Sequence, residues 1–420
     1  MIRRRALPRP LSLLVLLLAL TLLPGCPTAV PHRPSLPEEP SSSSAAKSSP
    51  AVPGGELRGI WVSYFELTLP KDKSEAAFRA EYDRQFALLE SFGLNAVFVH
   101  VRPFADSIYP SDLFPWSSIL TGTQGKEPGF DPLAVLLELA RAHHLQFHAW
   151  INPFRASQSD DKAKLSASHP ARAHIDANDG WVKLVDGRYY WNPALPEVQK
   201  LLLQGVREIL ERYDVDGVHI DDYFYPTTDP DFDRPQYEAY RTQGGALGLG
   251  DWRRENVSAF VAGLYAEVKQ LRPAVVVSIS PSSRISLNRE ELYADVERWA
   301  AQPGFADWLI PQIYFGFTHE KHPFEDMAKS WADLTADGPT RMAVGLAAYK
   351  IGTKDANAGT GSAEWQQSGD ILARQVRFLR DQPGCDGFVI FSYQGLFAEN
   401  RPDVAAREAQ YLQELLEPRQ

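Results

Sequence analysis

The sequence predicts an α/β fold, a single-domain (β/α)₈ TIM barrel, on three observations. Eight short apolar runs recur along the chain: RGIWVSYF (58–65), NAVFVHVRP (95–103), QFHAWINPF (146–154), DGVHID (216–221), AVVVSISP (274–281), DWLIPQIYF (307–315), RMAVGLAAY (341–349) and DGFVIFSY (386–393). Rich in Val, Ile and aromatics without strict alternation, they read as strands buried on both faces of a parallel sheet. Longer segments with helical spacing separate them, the pattern of repeated βα units. No glycine-rich phosphate loop follows the first run, which argues against the open, doubly wound alternative.

The elements follow in order from the N-terminus. Arg3, Arg4, Arg5 and Arg9 precede an apolar run, Leu11 to Leu23, and then Pro24-Gly25-Cys26. This is the plan of a signal peptide, and the run is shorter than the roughly 20 residues of a membrane span. Residues 1–25 are therefore expected to be a lipoprotein signal peptide, with Cys26 the acylated mature N-terminus. Residues 26–55, dominated by Pro and Ser, are expected to be a disordered tether. Residues 56–418 would then form the barrel, with the membrane reached through the N-terminal lipid only.

Within the barrel, Val198, Leu201, Leu202, Val206, Ile209, Leu210 and Tyr213 fall on one helical face. Asp131-Pro132 and Asn192-Pro193 are expected helix starts, an N-cap followed by proline at the first helical position. The one cysteine besides Cys26 is Cys385, expected to be a buried small hydrophobe. The formal net charge of −10 excludes a basic footprint for nucleic acid. No cofactor is called for.

Chemistry in such a barrel gathers at the C-terminal ends of the strands. Side-chain alternation puts Val97, Val99 and Val101 on one face of the second strand and His100 and Arg102 on the other. It likewise opposes Phe147, Ala149 and Ile151 to His148, Trp150 and Asn152, and Val218 and Ile220 to His219, Asp221 and Tyr223. Three consecutive strands thus direct polar groups to one parity, and a polar barrel mouth follows because burying such groups unpaired is costly.

Asp221 and Asp222 are the expected catalytic carboxyls. Glycoside hydrolysis needs one acid to protonate the leaving oxygen and a second carboxylate as nucleophile or base, and crowding raises one pKa. Asp221 is expected as nucleophile, base or transition-state stabiliser, and Asp222 as acid or orienting neighbour. On a regular strand they would face opposite ways, so Glu66, Asp106 or a later loop acid remain open as partners. Asp307 precedes its strand and belongs to the opposite end. Arg102, Asn152 and Arg155 are expected to hydrogen-bond sugar groups, and Trp150, Tyr223, Tyr225, Tyr314, Phe315, Tyr349 and Tyr393 to offer stacking surfaces.

The segments RGIWVSYF, FVHVRPFADSIYPS, PWSSILTG, GFDPLAVLLELA, HAWINPFR, WNPALPEVQ, DGVHIDDYFYP, DWRREN, PQIYF and GLAAYKIG resemble the glycosyl-hydrolase-like 10 family in order and spacing. The resemblance runs from about Glu56 to Leu415. It implies a (β/α)₈ barrel, export or lipoprotein anchoring, and activity on an envelope polysaccharide such as the peptidoglycan glycan strand. Pro27 after Cys26, where an Asp would direct otherwise, favours the periplasmic face of an outer membrane, with the cell surface the other expected location. The family's paired acids fall on Asp221 and Asp222, and its other motifs on Gln312, Ile313 and Tyr314 and on Ala348, Tyr349 and Lys350. DGVHIDDYFYP is also similar to the chitinase signature, but His219 and Tyr223 replace two of its acids, which argues against a substrate-assisted mechanism.

Two rival functions stay open at this level. His100, His148, His219 and Asp221 could ligate zinc in a deacetylase or amidohydrolase, or the barrel could bind glycan without turnover. The run Asp229, Asp231, Asp233 lacks the glycine and distal glutamate of a calcium loop and is expected to be a solvated acidic loop.

Overall fold

A computed structural model of the chain describes residues 55–417. The apolar run 11–23, Cys26 and most of the expected tether lie outside the described residues. Among the described residues no helix is long and apolar enough to cross a membrane.

Eight parallel strands close a barrel: β1 (Leu57–Val62), β2 (Ala96–Arg102), β3 (Gln146–Ile151), β6 (Gly217–Ile220), β7 (Val276–Ile279), β8 (Trp308–Leu309), β9 (Arg341–Ala347) and β10 (Cys385–Phe391). Every expected strand is present. The order around the barrel is β1-β10-β9-β8-β7-β6-β3-β2, and each strand pairs in parallel with its neighbours. Between β3 and β6 lies an antiparallel hairpin, β4 (Val182–Val185) and β5 (Arg188–Trp191), outside the barrel. β8 is shorter than its run because Pro311 offers no N–H to the ladder, and pairing resumes only as single bridges at Gln312.

The outward parity packs the helices on the barrel. Val97, Val99, Val101, Phe147, Ala149, Ile151, Val218 and Ile220 join one large core with apolar faces such as Val198, Leu202, Val206 and Ile209 of helix Pro196–Arg212. The inward parity fills the lumen with a separate cluster that includes Trp61, Phe98, Trp150, Trp308, Ala343 and Val389. Room for these rings comes from small partners. A Cβ on Gly345 would stand 3.0 Å from the Trp61 ring, and one on Gly217 would stand 2.0 Å from His148 Nδ1.

Asp131 caps its helix as expected, accepting from Ala134 N. Asn192-Pro193 does not start one. Asn192 Oδ1 accepts from Ala194 N in a turn, and the first-turn proline of the next helix is Pro196. The acidic run 229–233 is not wholly solvated either. Asp233 is fully buried in an ion pair with Arg253 of the DWRREN segment, at 2.6 Å, and Arg253 also bonds Asp229 O and Tyr293 Oη. Asp307 accepts from Val277 N and pairs with Lys269 at 2.7 Å, below the start of β8. Cys385 is half-buried, and burial pushes its thiol up to about 12, so it is neutral.

Candidate active site

The C-terminal ends of the strands surround a pocket of about 360 Å³, within the size range of small-molecule sites. Its walls hold Asp221, Asp222, Trp150, Arg155, His219, Tyr223, Gln312 and Tyr314. β6 ends at Ile220, so the next two residues leave the ladder and both carboxyls turn to the pocket. The opposition expected of adjacent strand residues therefore lapses.

Asp221 is 4% exposed. Its Oδ2 accepts from Trp150 Nε1 at 3.1 Å and Asn152 Nδ2 at 3.3 Å, while Oδ1 has no hydrogen-bond partner. Burial, and then the charge of Asp222, push this carboxyl up to about 7, against the pull of Arg155, Trp150 and the Tyr223 N–H. Burial also raises Asp222, against a hydrogen bond from Gln312, whose Nε2 is anchored on Ser280 O at 3.0 Å. Arg155 is clamped between the rings of Phe104 and Tyr223, at 4.7 and 4.4 Å, and its charge favours the ionised form of both acids.

The pocket floor is a stack of rings. His100 lies parallel to Trp150 with centroids 3.8 Å apart, and Phe98 covers His148 at 4.3 Å. Trp61 Nε1 donates to His219 Nε2 at 3.0 Å, and His219 Nδ1 meets Ser278 Oγ at 2.8 Å. At the rim Phe65 and Tyr223 stand exposed, and Tyr314 stacks on Phe391 at 5.8 Å.

Several expected site residues sit elsewhere. Arg102 is turned to the outer layer, because the β2–β3 register shifts between His100 and Arg102 and reverses its parity. Its guanidinium lies over Phe114 and reaches Leu202 O of helix Pro196–Arg212. Tyr393 opens the helix Tyr393–Phe397 instead of ending a strand, and packs on Phe397 in the outer core. Lys350 is paired with Asp355 at 2.6 Å. His148 lies beneath the pocket, Asn152 stands behind it holding Asp221, and Tyr349 meets Tyr314 edge-on from outside. Tyr225 faces Arg253 and Phe232 in the outer core, while Phe315 packs against His319.

The open candidates for a second acid are occupied as well. Glu66 accepts from Ser63 N, Ser392 Oγ and Gln394 N. Asp106 accepts from Gln124 Nε2 at 3.0 Å and lines a neighbouring cleft of about 210 Å³, where burial pushes it up to about 6. The side chains that the rival zinc reading would use do not converge. His219 has both nitrogens engaged, His148 is a layer deeper, and among the described residues no three His, Cys, Asp or Glu side chains group around a metal position. The metal-hydrolase alternative is set aside on that geometry.

Trp61, Ser63, Tyr64, Phe65, Arg188, Ser280 and Phe391 also line the pocket without having been among the expected site residues, and His100, expected on the inward face of β2, joins them. Parity would have placed Trp61, Ser63 and Phe391. Arg188 comes from the β4–β5 hairpin, whose Asp186-Gly187 turn between alternating residues is a strong local signal.

The sequence model described as glycosyl hydrolase-like 10 matches residues 56–362. The chain belongs to the glycosyl hydrolase-like 10 family. It is 36% identical over 318 residues to the glycosyl hydrolase YngK of Bacillus subtilis (strain 168), covering 70% of this chain and 61% of that one. It thus spans about three fifths of that relative's length. It is 30% identical over 423 residues to the glycosyl hydrolase DigH of Escherichia coli (strain K12), covering 93% of both chains. The glycoside hydrolase domain of PgaB (BpsB) from Bordetella bronchiseptica superposes with a TM-score of 0.58 at 13% identity, over 84% of this chain and 98% of that one. The catalytic domain of a Paenibacillus polymyxa beta-amylase does so at 0.54 and 11% identity, over 86% and 100%. These two likenesses speak to the barrel fold that this member of the glycosyl hydrolase-like 10 family shares with them.

Proposed function

We propose that the chain is a glycosidase that cleaves a bacterial envelope glycan, the peptidoglycan strand, at the barrel mouth. One observation carries the reading: a buried carboxyl that keeps its proton to about pH 7 beside a second carboxyl in one aromatic-rimmed pocket. A group with its pKa near the working pH is the efficient proton donor. Asp221 protonates the leaving oxygen, the reverse of the roles expected for the two acids. Asp222 is the second carboxyl, and Arg155 steadies the negative charge as Asp221 gives up its proton. Phe65, Tyr223 and Tyr314 offer faces on which pyranose rings stack. Membership of the glycosyl hydrolase-like 10 family and relatives named glycosyl hydrolases support the reaction class. For the location we propose a lipoprotein anchored through Cys26, at the periplasmic face of an outer membrane or the cell surface, supported by the Arg-flanked apolar run that precedes it.

Purified peptidoglycan strands, peptide-bearing and peptide-stripped, are incubated with the full chain and with the Asp221→Asn/Asp222→Asn double variant, and the products are weighed by mass spectrometry. Sugar fragments absent from the variant are expected. Retention on the strands with no fragments would replace hydrolysis by glycan binding.

A further inference from the structure

His100 lies near the C-terminal end of β2, level with Trp150 on β3, and faces the pocket. Its ring orientation is set by packing alone. Trp150 covers one face at 3.8 Å with an interplanar angle of 11°, and Tyr64 meets it edge-on at 5.6 Å. The side chain is 1% exposed, and neither ring nitrogen has a hydrogen-bond partner in the protein. Burying a polar ring this way costs stability unless something else satisfies it. His219 carries no such debt, since Trp61 and Ser278 engage both its nitrogens. His148 shares the lack of partners but lies beneath Phe98, outside the pocket wall.

Arg155 Nε and Asp221 Oδ1 are also buried and unpartnered in this pocket, and Oδ1 is the oxygen left to carry the Asp221 proton. His100 and Asp221 are joined through Trp150, which stacks on His100 and donates its Nε1–H to Asp221 Oδ2. Burial and the charge of Arg155 keep the imidazole neutral, so it offers one N–H donor and one lone pair. An N–H donor set in a wall of rings suits a ligand group with a carbonyl oxygen and a methyl. We infer that His100 is a specificity-determining residue that donates to the acetamido carbonyl of an N-acetylated amino sugar bound in the pocket, whose methyl packs on the surrounding rings. This rests on the glycan reading above and adds the substituent that is recognised.

The test titrates the full chain and its Asp222→Asn variant with chitotetraose and with cellotetraose, which carries hydroxyls in place of the acetamido groups. His100→Phe keeps the stacking and removes the nitrogens, and His100→Gln restores a donor and an acceptor. Calorimetry is expected to show chitotetraose affinity falling about tenfold or more in His100→Phe and partly recovering in His100→Gln. Cellotetraose is expected to bind more weakly and change little. The melting temperature of His100→Phe is expected to hold or rise, because an unpaired buried ring has been replaced by an apolar one. Chitotetraose binding that His100→Phe leaves intact overturns the inference alone. Matching losses on both sugars with a lowered melting temperature assign His100 to packing and overturn it too. Failure of wild type to bind either sugar removes the glycan reading itself, and this inference with it.

Discussion

Asp221 joins structure to chemistry through one proton. In the unfolded chain its carboxyl ionises near the ordinary aspartate value of 3.8, and folding raises that to about 7. The native state therefore holds more protons across this window, so the group's stabilising contribution is complete below the lower value and is lost as pH rises through the upper one. At full size the shift is worth roughly 4 kcal/mol, at about 1.4 kcal/mol per pKa unit. Asp221→Asn keeps an oxygen to accept from Trp150 and Asn152 but cannot ionise. Its melting temperature relative to wild type is expected to be several degrees higher at pH 8 than at pH 5, read by calorimetry at both values. Its turnover is expected to fall by about 10²- to 10⁴-fold, the loss typical of a missing acid–base group. Wild-type kcat/KM should decline above about pH 7 as the acid loses its proton, and a profile flat to pH 9 removes Asp221 from that role.

At the scale of elements, the β4–β5 hairpin was the largest feature missed in the sequence. It lies in a gap whose only expected element is the helix marked by the spacing of 198–213, and nothing local says that it lies against the mouth. The structure supplies that through Ala156 N and Ser157 N, which donate to Tyr189 O, and Trp191 N, which donates to Phe154 O. Arg188 then stands exposed over the acidic pocket. Arg188→Ala is expected to raise KM about three- to tenfold with kcat within about twofold, because a rim side chain aids ground state and transition state alike. Steady-state kinetics decide it, and a fall in kcat alone would place Arg188 in the chemical step. By contrast, all eight strands and the inward parity of His100, Trp150, His219 and Asp221 were legible, since apolar runs and period-two alternation are local. Arg102 failed because one bulge reverses parity, and Tyr393 because the chain leaves the strand at Ser392 for a helix. Both depend on contacts distant in sequence.

The whole molecule depends on closure. The family match ends at residue 362, whereas the strand that completes the ring, β10, begins at Cys385. β10 pairs Leu57 through Ile60 of β1 with Gly387 through Ile390 and extends along β9 on its other side. It also brings Val389 and Phe391 against Trp61 in the lumen, and Phe391 against Tyr314 at the mouth. The last helix, Asp403–Leu416, is tied in by Glu408, whose buried carboxylate accepts from the N–H groups of Ile371, Leu372 and Ala373 at the start of the helix Ile371–Asp381. Without residues beyond 362, β1 and β9 become two open edges, and an aromatic lumen meets water. A fragment of residues 55–362 is therefore expected to aggregate and show no cooperative melting transition. Residues 55–420 keep every strand of the barrel and both of these helices, and are expected to melt in one transition. Size-exclusion chromatography with calorimetry separates the cases. A monomeric 55–362 fragment that melts cooperatively would mean that seven strands suffice, and that β10 serves the pocket more than the fold.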